Sequence, residues 1–114
     1  MSTQALVEAF YSRIWNNGDL SVCAELLSND FSFRGSLGNE MRGCKAFGEY
    51  VQSVRGALAS YRCEILDCVT EGNKAFAKTR FSGVHAGKFR GYEATGNPVH
   101  WLGAALFVFE KGLI

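Results

Sequence analysis

The 114-residue chain predicts an α+β domain in which helices come first and a mainly antiparallel sheet follows. Up to about residue 59 the apolar residues recur at helical spacing, and beyond it they alternate along runs separated by short glycine-containing turns. Composition agrees: 47% hydrophobic residues, 13% aromatic and a single proline supply one buried core and fit neither a disordered nor a fibrous chain. The length suits one domain over 1–114.

The elements follow in order. From Thr3 to about Asn16, Leu6, Ala9, Phe10 and Ile14 form a helical stripe that Val7, Tyr11 and Trp15 widen. Gly18 suits the left-handed conformation that ends a helix, and Asp19 can accept from the free amides of a second, short helix running to Leu27. Phe31 to Arg34 alternates as a short strand with both phenylalanines inward, and GSLGNEMRG over 35–43 reads as loop. From Cys44 to about Ala59, the spacing of Phe47, Tyr50, Val51, Val54 and Leu58 predicts a third helix. Strands follow from Tyr61 to Glu71, from Ala75 to about Lys88 and from Val99 to Glu110, joined by GN and TGNP turns and closed by a KG turn.

Alternation assigns faces. Ala77, Thr79, Phe81, Gly83 and His85 share the inner side of the second long strand, while Lys78, Arg80 and Ser82 face water. The third is apolar on both faces, Trp101, Phe107 and Phe109 on one and Leu102, Leu106 and Val108 on the other, so cover is expected on both. Helices supply one cover. The other is expected to be a second copy of the chain, a homodimer through the outer face of the sheet.

Several function classes lose support. Twelve Lys+Arg against eleven Asp+Glu give a net charge of +1, no field for nucleic acid or an anionic membrane. No apolar run approaches the roughly 18 residues of a membrane span, and the start MSTQALVEAF has no basic region ahead of an apolar one, which predicts a cytoplasmic protein. Cys23, Cys44, Cys63 and Cys68 lack C-x-x-C spacing, so no metal site is predicted and the thiols read as small apolar side chains. Cys63 and Cys68, five apart, are expected on opposite faces of their strand. There is no G-x-G-x-x-G, Walker or G-x-S-x-G pattern, and no cofactor is expected.

FYSRIWNNGDLSVCAELLSNDFSF, the Gly43 to Phe47 helix entry and GVHAGKFRGYEATGNPV, in this order and spacing, resemble the SnoaL-like polyketide cyclase group of the nuclear transport factor 2-like superfamily. The resemblance implies a ketosteroid isomerase-like cone: three N-terminal helices packed on a strongly curved sheet, an apolar pocket between, and dimers through the convex face. It implies that His85 is the pocket histidine of a G-x-H-x-G strand and that Tyr11 stands where ketosteroid isomerases place an oxyanion-stabilising tyrosine. Their general-base aspartate falls at or beside Gly35, where this chain has Arg34 and Gly35 and no acid. The cyclases' acid-base aspartate follows the K-G-x-I turn in a final strand; KGLI closes this chain, so that strand is expected to be incomplete.

His85 is the sharpest candidate, because an imidazole exchanges a proton near neutral pH, although a histidine here could equally line the pocket or serve structure alone. Tyr11, Trp15 and Tyr50 offer hydroxyls and flat walls, or core packing with a polar handle. Phe33, Phe47, Phe81, Trp101 and Phe107 are candidate contacts for a substrate and equally candidate core. His100 is expected to face away from Trp101, Arg34 to be exposed, and Asp30 to shape a turn. The resulting expectation is an enclosed pocket for a small, largely apolar or ring-containing molecule, with cofactor-independent proton transfer such as cyclisation or isomerisation. The alternative is a non-catalytic binding or dimeric interaction module.

Overall fold

The computed structural model describes residues 2–35, 40–88 and 92–114. Helix α1, Thr3–Ala9, starts where the Ser2 side chain accepts from the Ala5 amide. The sequence predicts that it continues as one α-helix to Asn16; instead Phe10–Asn16 is π-helical, with Asn17 N–H reaching back to the Ser12 carbonyl. The wider i→i+5 turn lets Phe10, Tyr11, Ile14 and Trp15 all enter the core, a crowd of large side chains that outweighs the poorer backbone geometry. Gly18 takes φ +67° and the Asp19 carboxylate accepts from the Ser21 amide, as anticipated. A 3₁₀ turn, Leu20–Val22, then leads into α2, Cys23–Leu26.

Strand β1, Ser32–Arg34, pairs antiparallel with β2, Glu40–Arg42, so the segment expected to be loop contains a second strand; its residues 36–39 lie outside the described residues. Helix α3, Gly43–Ala57, buries Phe47, Gly48, Val51, Val54 and Ala57 on one face, as its periodicity predicts. It passes directly into β3, Leu58–Glu71, followed by β4, Lys74–His85, and β5, Pro98–Val108. These form an antiparallel sheet in the order β3-β4-β5, whose inner face carries Tyr61, Cys63, Ala75, Ala77, Thr79 and Phe107 into the core beneath the helices.

Two register shifts in β3, between Ala59 and Arg62 and between Ile65 and Asp67, bend the sheet and change its parity. The second corrects the cysteine assignment. Cys63 pairs with Phe81 and Cys68 with Ala77, both inner-face residues, so the extra residue returns Cys68 to the side of Cys63. On the outer face the register sets Val69, Phe76 and Leu106 in one cross-strand row, each about half exposed or more at 59%, 46% and 65%. On the inner face of β5 the helices thus cover Phe107 but leave Trp101 37% exposed, and the outer face is bare in the single chain.

One side chain ties the first helical segment to the sheet. Asn16 Nδ2 donates to the Cys63 carbonyl at 2.9 Å, and the Cys63 amide donates to Asn16 Oδ1 at 2.6 Å. Asn16→Ala is expected to cost about 2 kcal/mol, two hydrogen bonds lost at a partly buried strand edge, measured as a lower urea midpoint at unchanged slope.

Candidate functional site

A cavity of about 580 Å³ opens between the helices and the inner face of the sheet. The π-helical segment contributes Tyr11 and Trp15, β1 contributes Phe33 with Arg34 at the rim, and α3 contributes Tyr50 and Val54. Leu58 and Tyr61 come from β3, Thr79 and Phe81 from β4, and Trp101 to Ala105 from β5. The walls are aromatic. Phe81 stacks on Trp101 at 5.3 Å and 17°, a cross-strand pair set by register, and Trp15 meets Tyr50 edge-on at 5.9 Å and Tyr61 at 5.7 Å. Gly103 makes room for this arrangement, since a Cβ there would lie 2.7 Å from Phe81 Cε2.

The polar groups are few. The hydroxyls of Tyr11 and Tyr61 make no hydrogen bond to another described residue. Burial raises both phenols well above their ordinary range, Tyr11 further by Cys63 and Cys68, and Tyr61 further by Cys63, Tyr11 and Tyr50 against a small lowering by Arg55. Both therefore stay protonated and act as donors. Thr79, the buried polar residue of the inner face, donates from Oγ1 to the Gly103 carbonyl at 3.4 Å.

Of the residues singled out from sequence, Tyr11, Trp15, Phe33, Tyr50, Phe81 and Trp101 meet around this space. Phe47 and Phe107 lie behind it: Phe47 stacks on Phe10 and packs against Phe31 and Phe33, and Phe107 meets Phe10 and Tyr11 edge-on. His85 keeps inner-face parity but is not among the described lining residues. Leu58, its partner across the strands, sits over Gly83, where a Cβ would be 3.1 Å from that of Leu58, and so separates His85 from the ring of Phe81. The imidazole Nδ1 lies 3.2 Å from Thr95 Oγ1, the backbone bonds to Gly96 and Asn97, and the buried Nε2 has no partner among the described residues. His100 is exposed, as expected.

Sequence reading missed Tyr61 as a lining residue. Its parity with Cys63 is the available signal, obscured because alternation starts the strand at Tyr61 and the bulge between Ala59 and Arg62 leaves no mark in the pattern. Among the described residues no group of three or more His, Cys, Asp or Glu could hold a metal ion, and no helix is long and apolar enough to cross a membrane.

The sequence profile of the SnoaL-like polyketide cyclases matches residues 5–114. Among solved structures the chain is similar to TsrD from Streptomyces laurentii, at 25% identity and TM-score 0.83 over 96% of this chain and 80% of that one. A proposed SnoaL-like polyketide cyclase from Jannaschia sp. CCS1 shares the fold at TM-score 0.88 and 17% identity, over 96% of this chain and 78% of that one. So does a protein of ketosteroid isomerase-like fold from Catenulispora acidiphila, in complex with trimethylamine, at TM-score 0.81 and 14% identity over 98% and 81%. A comparison with curated proteins finds no match.

The raised phenols make stability depend on alkaline pH. An unfolded tyrosine releases its proton near the ordinary value of 10.0, whereas Tyr11 and Tyr61 in the fold release theirs only well above it. Their contribution is therefore complete below pH 10 and lost as pH rises from there through the folded values. Urea midpoints should fall above pH 10, and Tyr61→Phe should flatten that fall.

Proposed function

The chain belongs to the SnoaL-like polyketide cyclase family, and on that premise we propose that its cavity binds a small, largely apolar, ring-containing molecule and catalyses cofactor-independent proton transfer on it, as in cyclisation or isomerisation. The observation that carries this reading is the aromatic cavity with two phenol donors, Tyr11 and Tyr61, that lack protein partners among the described residues. A ring system stacks between Trp15 and the Phe81–Trp101 pair. Its carbonyl oxygen accepts from the phenols, and these bonds strengthen as loss of a proton from the adjacent carbon turns the carbonyl into an enolate. Burial makes such donors effective by removing competing water, and their high pKa keeps their own protons in place. In this reading His85 is the proton acceptor, reached past Leu58 at the end of β4.

One observation favours a second reading, binding without turnover: no carboxylate or imidazole is among the described residues that line the cavity. A bicyclic enolisable ketone, tetralone, distinguishes the two. Tyr11→Phe and Tyr61→Phe should each weaken its binding about tenfold, the value of one hydrogen bond in a dry site, as read by tryptophan fluorescence. In deuterated solvent the native protein should speed exchange at the carbon beside the carbonyl, and His85→Ala should remove that rate at unchanged affinity. Unchanged exchange in His85→Ala removes His85 from the mechanism, and absent exchange in the native protein leaves binding alone.

The same reading takes the outer face as a homodimer interface. Val69, Phe76 and Leu106 form its apolar row, and Glu64 and Arg80 meet across strands at 3.8 Å on the same side. Sedimentation should give a dimer, and Leu106→Glu, a charge placed in that row, should give a folded monomer.

A further inference from the structure

Given the binding site proposed above, on which this inference rests, we propose that Arg34 selects ring compounds that carry a carboxylate, holding that group at the mouth of the cavity while the ring lies inside. Strand β1 forms a lip of the cavity. Phe33 packs its ring against those of Trp15 and Tyr50, at centroid distances of 6.3 Å and 5.7 Å, whereas Arg34, next along the strand, is exposed. Just past Arg34 the backbone lies close against the aromatic wall, since a Cβ on Gly35 would be 3.1 Å from Phe33 Cε1 and 3.5 Å from Tyr50 Oη. The contacts of its two neighbours thus hold Arg34 at the rim. The other exposed lining residues, Trp101, Leu102 and Ala104 of β5, carry no charge.

The charge on Arg34 is uncompensated. Glu40 stands opposite it in the pairing of β1 with β2, but the Glu40 carboxylate is taken by Arg42, Nη2 to Oε1 at 3.1 Å. All eleven Asp and Glu residues of the chain fall within the described residues, and none of them pairs with Arg34 or lines the cavity. Arg34 is the one charged side chain among the described lining residues.

These placements give the mouth a preference of sign. A carboxylate arriving there meets a cation and no anion, and the planar guanidinium offers it two parallel N–H donors. An ammonium group in the same place meets like charge. The aromatic walls and the phenols of Tyr11 and Tyr61 hold a neutral ketone equally well, so the distinction between an acid and its ester falls to Arg34.

The test uses the full chain and three probes: a tetralone with a carboxylate on its aromatic ring, the methyl ester of that acid, and the corresponding aminomethyl compound, each titrated by tryptophan fluorescence at low salt. The acid is expected to bind about fivefold more tightly than the ester and the amine more weakly than the ester, with the gap between acid and ester narrowing as salt is raised. Arg34→Gln should bring acid and ester to equal affinity, and Arg34→Lys, which keeps the charge without the fork, should retain part of the gap. Binding of the ester to Arg34→Gln reports that the cavity is intact. Equal affinity of acid and ester for the native chain, or a gap that survives in Arg34→Gln, overturns the selection by Arg34 while the cavity stands as a binding site. Failure of all three probes to bind the native chain overturns both.

Discussion

At the end of the π-helical segment, Asn16 turns its side-chain amide to the edge of β3 and bonds both backbone groups of Cys63, while Arg55 Nη1 from α3 donates to the carbonyls of Trp15 and Asn16 at 2.7 Å each. Helical carbonyls at this end have no partner within their own segment, and a guanidinium that supplies two bonds there also meets the negative end of the helix. The same Arg55 side chain lies against Gly18, where a Cβ would come within 2.6 Å of Nε, so the turn after the helix is fixed by what the arginine needs. First helix, third helix and sheet therefore meet at one knot. Tyr11 and Trp15 hang from the segment it ties, and their placement over the sheet follows from it.

What the knot holds open is an aromatic space that the same residues would otherwise fill. Rings pack edge-on and stacked at 5–6.5 Å on nearly every side of Phe10, Trp15 and Phe47, which gives walls of high density and little freedom. Flexible side chains would collapse inward. Rings braced by other rings do not, and Gly103 withholds the one side chain whose presence would push Phe81 aside. The phenols of Tyr11 and Tyr61 gain their character from being buried among these rings, because burial raises the cost of ionising them.

Much of this was legible. The period of Phe47, Tyr50, Val51 and Val54 located α3, strict alternation assigned the faces of β4 and β5, and the Phe81 and Trp101 walls followed from those faces. The misses share a cause. A π-turn at Phe10–Asn16 and a bulge between Ile65 and Asp67 each alter periodicity by one residue, and a period is all that pattern reading has. His85 was placed on the correct side of its strand, but the depth along that side depends on Leu58, which belongs to another strand.

The π-turn and the bulge also bear on comparisons between relatives. Each admits a surplus residue without displacing the helix or strand on either side, and cavity-wall tyrosines lie at such features, Tyr11 within the π-turn and Tyr61 within the other register shift of β3, between Ala59 and Arg62. Over lineages such features behave as single-residue insertions absorbed in place. An ungapped alignment across either one would slide wall residues by one position and pair a cavity tyrosine with a surface residue, so homologous sites here are matched more faithfully by superposed backbones than by aligned letters.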